Sequence, residues 1–219
     1  MDIEQNSDPV LETKGEGHIH GSKSKEIALY ATFSALIVVF SLMGILMAVF
    51  PYPIGYLSLV PIVIFFLGIT LKPKHAFIIC VIGGLTGELL ADMIGGYAYM
   101  LWLWLPGAFV ARGFEGSVIS ILEKFWVRGK ELKSGQKYAR ELVILVIGST
   151  WAFFGYVNVG ALGNYFVVYP GMSYLGSLIS YLYVLLEFML VPVGIGVVYG
   201  VRRYFGVDYF DHLFFNDPE

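Results

Sequence analysis

Glu88, Asp92, Arg112 and Glu187 interrupt stretches of the chain that are otherwise apolar, and they have the most chemistry to offer. A charge at the centre of a bilayer costs at least ~2.5–3.5 kcal/mol, so each must be paired, hydrated or held by a ligand. Asp92 and Glu88 fall roughly one and two turns below the end of their apolar run. Counted from Pro106, Arg112 lies about 9 Å into the next run at 1.5 Å per residue. The depths match, which predicts a structural ion pair between Asp92 and Arg112, with Glu88 as the alternative acid. Glu115, at i, i+3 from Arg112, is a further candidate partner. Glu187 falls near the middle of the last run, where it is expected at the floor of a binding pocket. Pairing with Arg112 is the competing arrangement. Glu123, near a membrane boundary, is expected to be solvated.

Aromatic and amide groups gather towards the same depth. Trp151, Gly155 and Asn158 share a helix face at i, i+4 and i+7, and Ser173, Ser177, Ser180 and Glu187 share another. With Tyr97, Tyr99, Trp102, Trp104, Asn164, Tyr165 and Tyr169 they outline a pocket of rings with a few polar groups, the usual make-up of a small-molecule site. The expected substrate-binding residues are Tyr99, Trp102, Trp104, Trp151, Asn158 and Glu187. The rings would stack on a planar substrate, while Asn158 and Glu187 take its polar or cationic groups. Acids outnumber the lone arginine in the spans, which favours a neutral or cationic ring such as thiamine. An interfacial aromatic belt and serines that glue helices together are the competing explanation.

Catalysis has little to stand on. The chain has no G-x-x-x-x-G-K-[ST] phosphate loop, no G-x-S-x-G, no H-E-x-x-H and no intramembrane Ser/His pair. Its histidines, His18, His20, His75 and His212, lie outside the apolar runs or at their edge. The His18–His20 pair lacks Cys or carboxylate ligands at conventional spacing, so no metal site is expected. No catalytic residue, cofactor or metal is predicted, and nothing points to nucleic acid.

The elements that must position these groups are membrane spans. Hydrophobic residues make up 57% of the 219, charged residues 14%, and the mean hydropathy is +0.72, which excludes an ordinary soluble domain. A span needs about 20 apolar residues, and the runs fall at approximately 27–50, 54–71, 76–95, 106–125, 142–162 and 174–201. Of fourteen Lys and Arg residues, all but Arg112 sit before the first run, in the second and fourth connections, or after the last. Positive-inside bias then puts both termini in the cytoplasm. The expected architecture is an all-α polytopic membrane protein of the cell membrane, a six-transmembrane-helix bundle over residues 26–205. Residues 1–25 are polar and acidic, lack the apolar core of a signal peptide, and read as a flexible cytoplasmic tail; residues 206–219 form a second tail. Cys80 stands alone and excludes an internal disulfide. The third connection, Met93 to Leu105, is apolar and aromatic yet opens on Gly95-Gly96. It is either a segment folded over a pocket or the early start of the fourth helix.

These residues resemble the substrate-binding S components of energy-coupling factor (ECF) vitamin transporters. Ala31 and Ala35, preceded by Ala28, match the Ala-x-x-x-Ala face of that family's first helix. Pro51, Pro53, Gly55, Pro61, Gly68, Pro73, Gly83, Gly84, Gly87, Asp92 and Gly95 follow its order of proline-rich loop, kinked second helix, tight turn and glycine-rich third helix. Arg112-Gly113 matches its basic residue followed by glycine. The resemblance covers residues 26–125 by motif and the remainder by topology. It implies capture of a water-soluble vitamin from outside, with Ala28, Ala31 and Ala35 docking on a transmembrane coupling subunit that carries two ATP-binding subunits. A non-transporting membrane scaffold with a similar bundle is the alternative.

Overall fold

The computed structural model describes residues 17–46, 58–95, 101–163, 165–166, 171, 173–180 and 182–205. All of the elements among them are helical. Helix α1 is Gly17–Leu46, α2 Val60–Thr70, α3 Pro73–Gly95, α4 Leu101–Ala108, α5 Phe114–Trp126, α6 Ser134–Gly163, α7 Tyr174–Ser180 and α8 Val191–Phe205. A π-helical turn, Phe109–Gly113, joins α4 to α5, and a 3-10 segment, Leu182–Leu190, precedes α8. Helix α1 begins ten residues before the expected span. The first 16 residues and the expected tail 206–219 lie outside the described residues.

Five stretches are long and apolar enough to cross a bilayer: Lys23–Gly44, Pro73–Ala91, Leu105–Trp126, Ser134–Gly163 and Leu185–Tyr204. The expected second span is represented by α2, whose 11 residues reach about 16 Å, half a hydrocarbon core; residues 47–57 lie outside the described set. Helix α2 is apolar on every side, and such a helix belongs in the interior. Accordingly Ile64, Phe65, Leu67 and Ile69 are fully buried, in one core with Ile37, Ile79, Ile119, Ile144, Leu145 and Ile195.

Helix α1 lies along α3. A Cβ at Gly83 would come within 2.8 Å of Ile37, so the close approach of the two backbones depends on glycine there. Ser34 donates to the Ile79 carbonyl at 3.3 Å, and Tyr30 bonds both Glu26 and His75.

The fourth helix starts at Leu101 and carries Trp102 and Trp104 in its first turn. The early-start reading therefore holds, and residues 101–105 are not a loop. Pro106 lies inside α4, where its missing N–H leaves the carbonyl four residues back, at 102, without its usual i, i+4 donor.

One end of the bundle gathers the basic residues. Arg202 of α8 reaches Glu141 at 2.5 Å and Glu123 at 3.8 Å. Arg128 donates to the Ile69 carbonyl at 2.7 Å, Arg140 to Trp126 at 2.6 Å, and Ser120 to Leu71 at 2.5 Å. Glu123 is 1% exposed, contrary to the expectation of a solvated side chain. The last turn of α8 lays an arginine over it, and burial of the acid follows from that partner. This basic end and the opposite, far end are the two poles of the bundle.

Candidate functional site

Arg112 is the polar centre of the bundle. The π turn carries it inwards at 4% exposure. One guanidinium nitrogen donates to Glu187 Oε1 at 2.6 Å, another to Glu115 Oε2 at 3.1 Å. Its Cζ lies 4.9 Å from the ring centroid of Tyr156 on α6, a cation–π contact in a desolvated setting. It passes α3 at Gly84, where a Cβ would stand 3.1 Å from Arg112 Cβ. The cluster thus ties α5, α6 and the 3-10 segment together. Both acids answer the same cation, and these charge-assisted bonds are the strong class. Glu115 Oε1 is buried and, among the described residues, makes no hydrogen bond. Glu187 is thus paired with Arg112, as the second of the two arrangements has it.

Asp92's side chain, the whole of Tyr99 and the side chains of Trp102 and Trp104 lie outside the described residues, as do Tyr97, Asn164 and Tyr169. Trp151 is 43% exposed. Its indole N–H donates to the Val110 carbonyl in the π turn at 3.0 Å, and its ring tilts against Phe114 at 6.2 Å. Asn158 is exposed as well. It donates to the Phe154 carbonyl at 2.7 Å and accepts from the Tyr174 hydroxyl at 3.1 Å. At about 100° per residue, Tyr156 stands roughly 150° round α6 from Trp151 and Asn158. Trp151 and Asn158 therefore share a face, as expected, but the structure does not bring them to Glu187. Of the serine stripe, Ser173 accepts from the Gly176 N–H at 3.1 Å and so caps α7.

A family model for the S component of the ECF-type riboflavin transporter matches residues 21–201. The chain belongs to that family. No curated protein and no solved structure gives a significant match. An S component is the substrate-binding membrane subunit of a transporter and not an enzyme, and this one is a multi-pass membrane protein.

In this S component, Ala28, Ala31 and Ala35 are exposed along α1. Ser34 and Ile37 occupy the buried face of the same helix. Three residues of the polar framework carry little signal in the sequence. Tyr156 reads as one more aromatic in an apolar run. Glu141 and Arg202 read as ordinary boundary charges. Glu115 alone was marked, by its i, i+3 spacing from Arg112.

Proposed function

We propose that this S component captures riboflavin at the far end of the bundle and presents it to a transmembrane coupling subunit bearing two ATP-binding subunits. The observation that carries the reading is the family match across residues 21–201. Riboflavin offers a neutral, planar isoalloxazine ring and a polyhydroxylated chain, and aromatic side chains with a few polar partners suit that pair of features. Tyr99, Trp102 and Trp104 are assigned to stack on the ring. Asn158, with the Tyr174 hydroxyl beside it, supplies amide and hydroxyl groups for the chain. Trp151 supports the π turn and Glu187 supports Arg112, each from outside the first contact with substrate. No phosphate-loop sequence is present, so the energy of transport falls to partner subunits.

The basic end faces the cytoplasm in this reading, placing both termini inside and the protein in the cytoplasmic membrane. Exposed small residues permit close helix approach, and Ala28, Ala31 and Ala35 form the docking face for the coupling subunit. Titration of the purified protein with riboflavin, followed by quenching of flavin fluorescence, tests the substrate. Saturable quenching is expected, together with co-purified flavin by mass spectrometry. Absence of both, with thiamine binding in its place, would replace riboflavin as the substrate.

A further inference from the structure

The Arg112–Glu187 bond joins two stretches that both depart from α-helical geometry. Arg112 lies in a π turn, which is underwound, and Glu187 in a 3-10 segment, which is overwound. A 3-10 run beyond three or four residues is uncommon because its hydrogen bonds are poorer, and π turns gather at functional positions. Here the 3-10 run spans nine residues. Its rise of about 2.0 Å per residue against 1.5 Å means that reversion to α geometry would shorten it by roughly 4 Å. Length can therefore be exchanged in this helix without unfolding it.

We infer that Arg112 and Glu187 are positioning residues that form a pivot. About it, α4 and α7 at the far end, each packed on α6, shift, while the basic ends of α5 and α8 that continue them stay clamped. The clamp is visible: Arg202 holds Glu141 and Glu123, Ser120 holds Leu71, and Arg128 holds Ile69. At the far end, among the described residues, α7 is held without charged groups, by the Tyr174–Asn158 bond and by Leu178 packed against Val157 and Ala161. The ion pair is not the part that opens, because parting it would leave an uncompensated charge in the bundle. Motion goes instead into the soft helix geometry on each side of the bond. Glu115 keeps a second acid on Arg112 while Glu187 turns, and Gly84 presents no side chain against which Arg112 would catch. The pivot does not depend on which vitamin is bound.

Hydrogen exchange on the full chain in nanodiscs, read peptide by peptide, tests this. Glu187→Gln is expected to speed exchange by about tenfold or more in both 109–113 and 182–190, and in α4 and α7, while 114–126 and 191–205 change by less than about twofold. Arg202→Gln should give the opposite pattern. Uniform acceleration in the Glu187→Gln protein, or acceleration confined to 182–190, would show a brace with no pivot and overturn the inference. Should that variant fail to fold, Glu187→Asp, which keeps the charge and shortens its reach, is scored by the same pattern. Added riboflavin should slow exchange at the far end of the wild-type protein. A protein that ignores riboflavin but keeps the ligand-free pattern would overturn the substrate and leave the pivot standing.

Discussion

Arg112 and Glu187 are 75 positions apart in sequence and 2.6 Å apart in the structure, the shorter of two bonds by which one buried guanidinium holds two buried acids. Glu187→Gln removes one of those charges, and Arg112→Met strands both acids. Breaking a buried pair from one side costs about 3–5 kcal/mol, whereas replacing both members by apolar groups is far milder. Arg112→Met is therefore expected to lower the melting temperature strongly. The Arg112→Met/Glu187→Leu double variant should recover part of the loss, with Glu115 still uncompensated. A double variant no better than Arg112→Met alone would mean that the 2.6 Å contact carries little energy.

Arg202 and its neighbour Arg203 separate burial from charge. Arg202→Met leaves Glu123 and Glu141 without their shared cation, and a loss of about 3–5 kcal/mol is expected. Arg203 is exposed, so Arg203→Met should stay within about 0.5 kcal/mol. Thermal unfolding of the two variants in the same detergent measures the difference.

Gly116 and Cys80 make a packing test. A Cβ at Gly116 would meet Cys80 Sγ at 2.6 Å, and overpacking of this kind costs about 1–3 kcal/mol. Gly116→Ala should be destabilising alone and largely rescued by Cys80→Ala. Additive losses in the double-variant cycle would show that the two helices part instead of sharing the space.

Ala31→Trp and Ala35→Trp place a bulky ring on the exposed face of α1. Riboflavin binding to the isolated S component should be unchanged, while co-purification with the coupling subunit and uptake are lost. Normal transport by both variants would move the docking face elsewhere.

Ser134 begins α6 at the basic end and is exposed. A cysteine placed there, in a Cys80→Ala background, should resist an impermeant maleimide in intact cells and react once they are opened. Labelling from outside would invert the orientation.

Much of the framework was legible in the sequence, and what was not has physical causes. Long apolar runs and segregated Lys and Arg residues predicted the spanning helices, because hydrophobic length and charge are local properties. One partner of Arg112, Glu115, is local and follows from its spacing; the other, Glu187, is not. Depth alone left Glu187 one of several comparable acids, and its place beside Arg112 depends on how the last helix is wound around its 3-10 segment. Trp151 and Asn158 do share a helix face, as their spacing predicts. Ala152 and Tyr156 occupy the buried face, and Gly155 stands at its edge, where a Cβ would lie 3.1 Å from Ala111. Glu123 looked solvated because Arg202, its cover, comes from the far end of the chain.

The pairing of Arg112 with Glu115 also bears on how the protein is made. Glu187 is translated 75 residues after Arg112, an interval of about 4–15 s at ordinary rates of synthesis. During that time the arginine enters the membrane without the acid that will hold it most closely. Glu115, three residues on, arrives with it in the same helix, and gives the nascent segment a neutral pair to insert. A carboxylate that looks redundant in the finished bundle is thus the first partner the arginine has, and its loss should be felt in insertion yield before it is felt in the stability of the protein that survives.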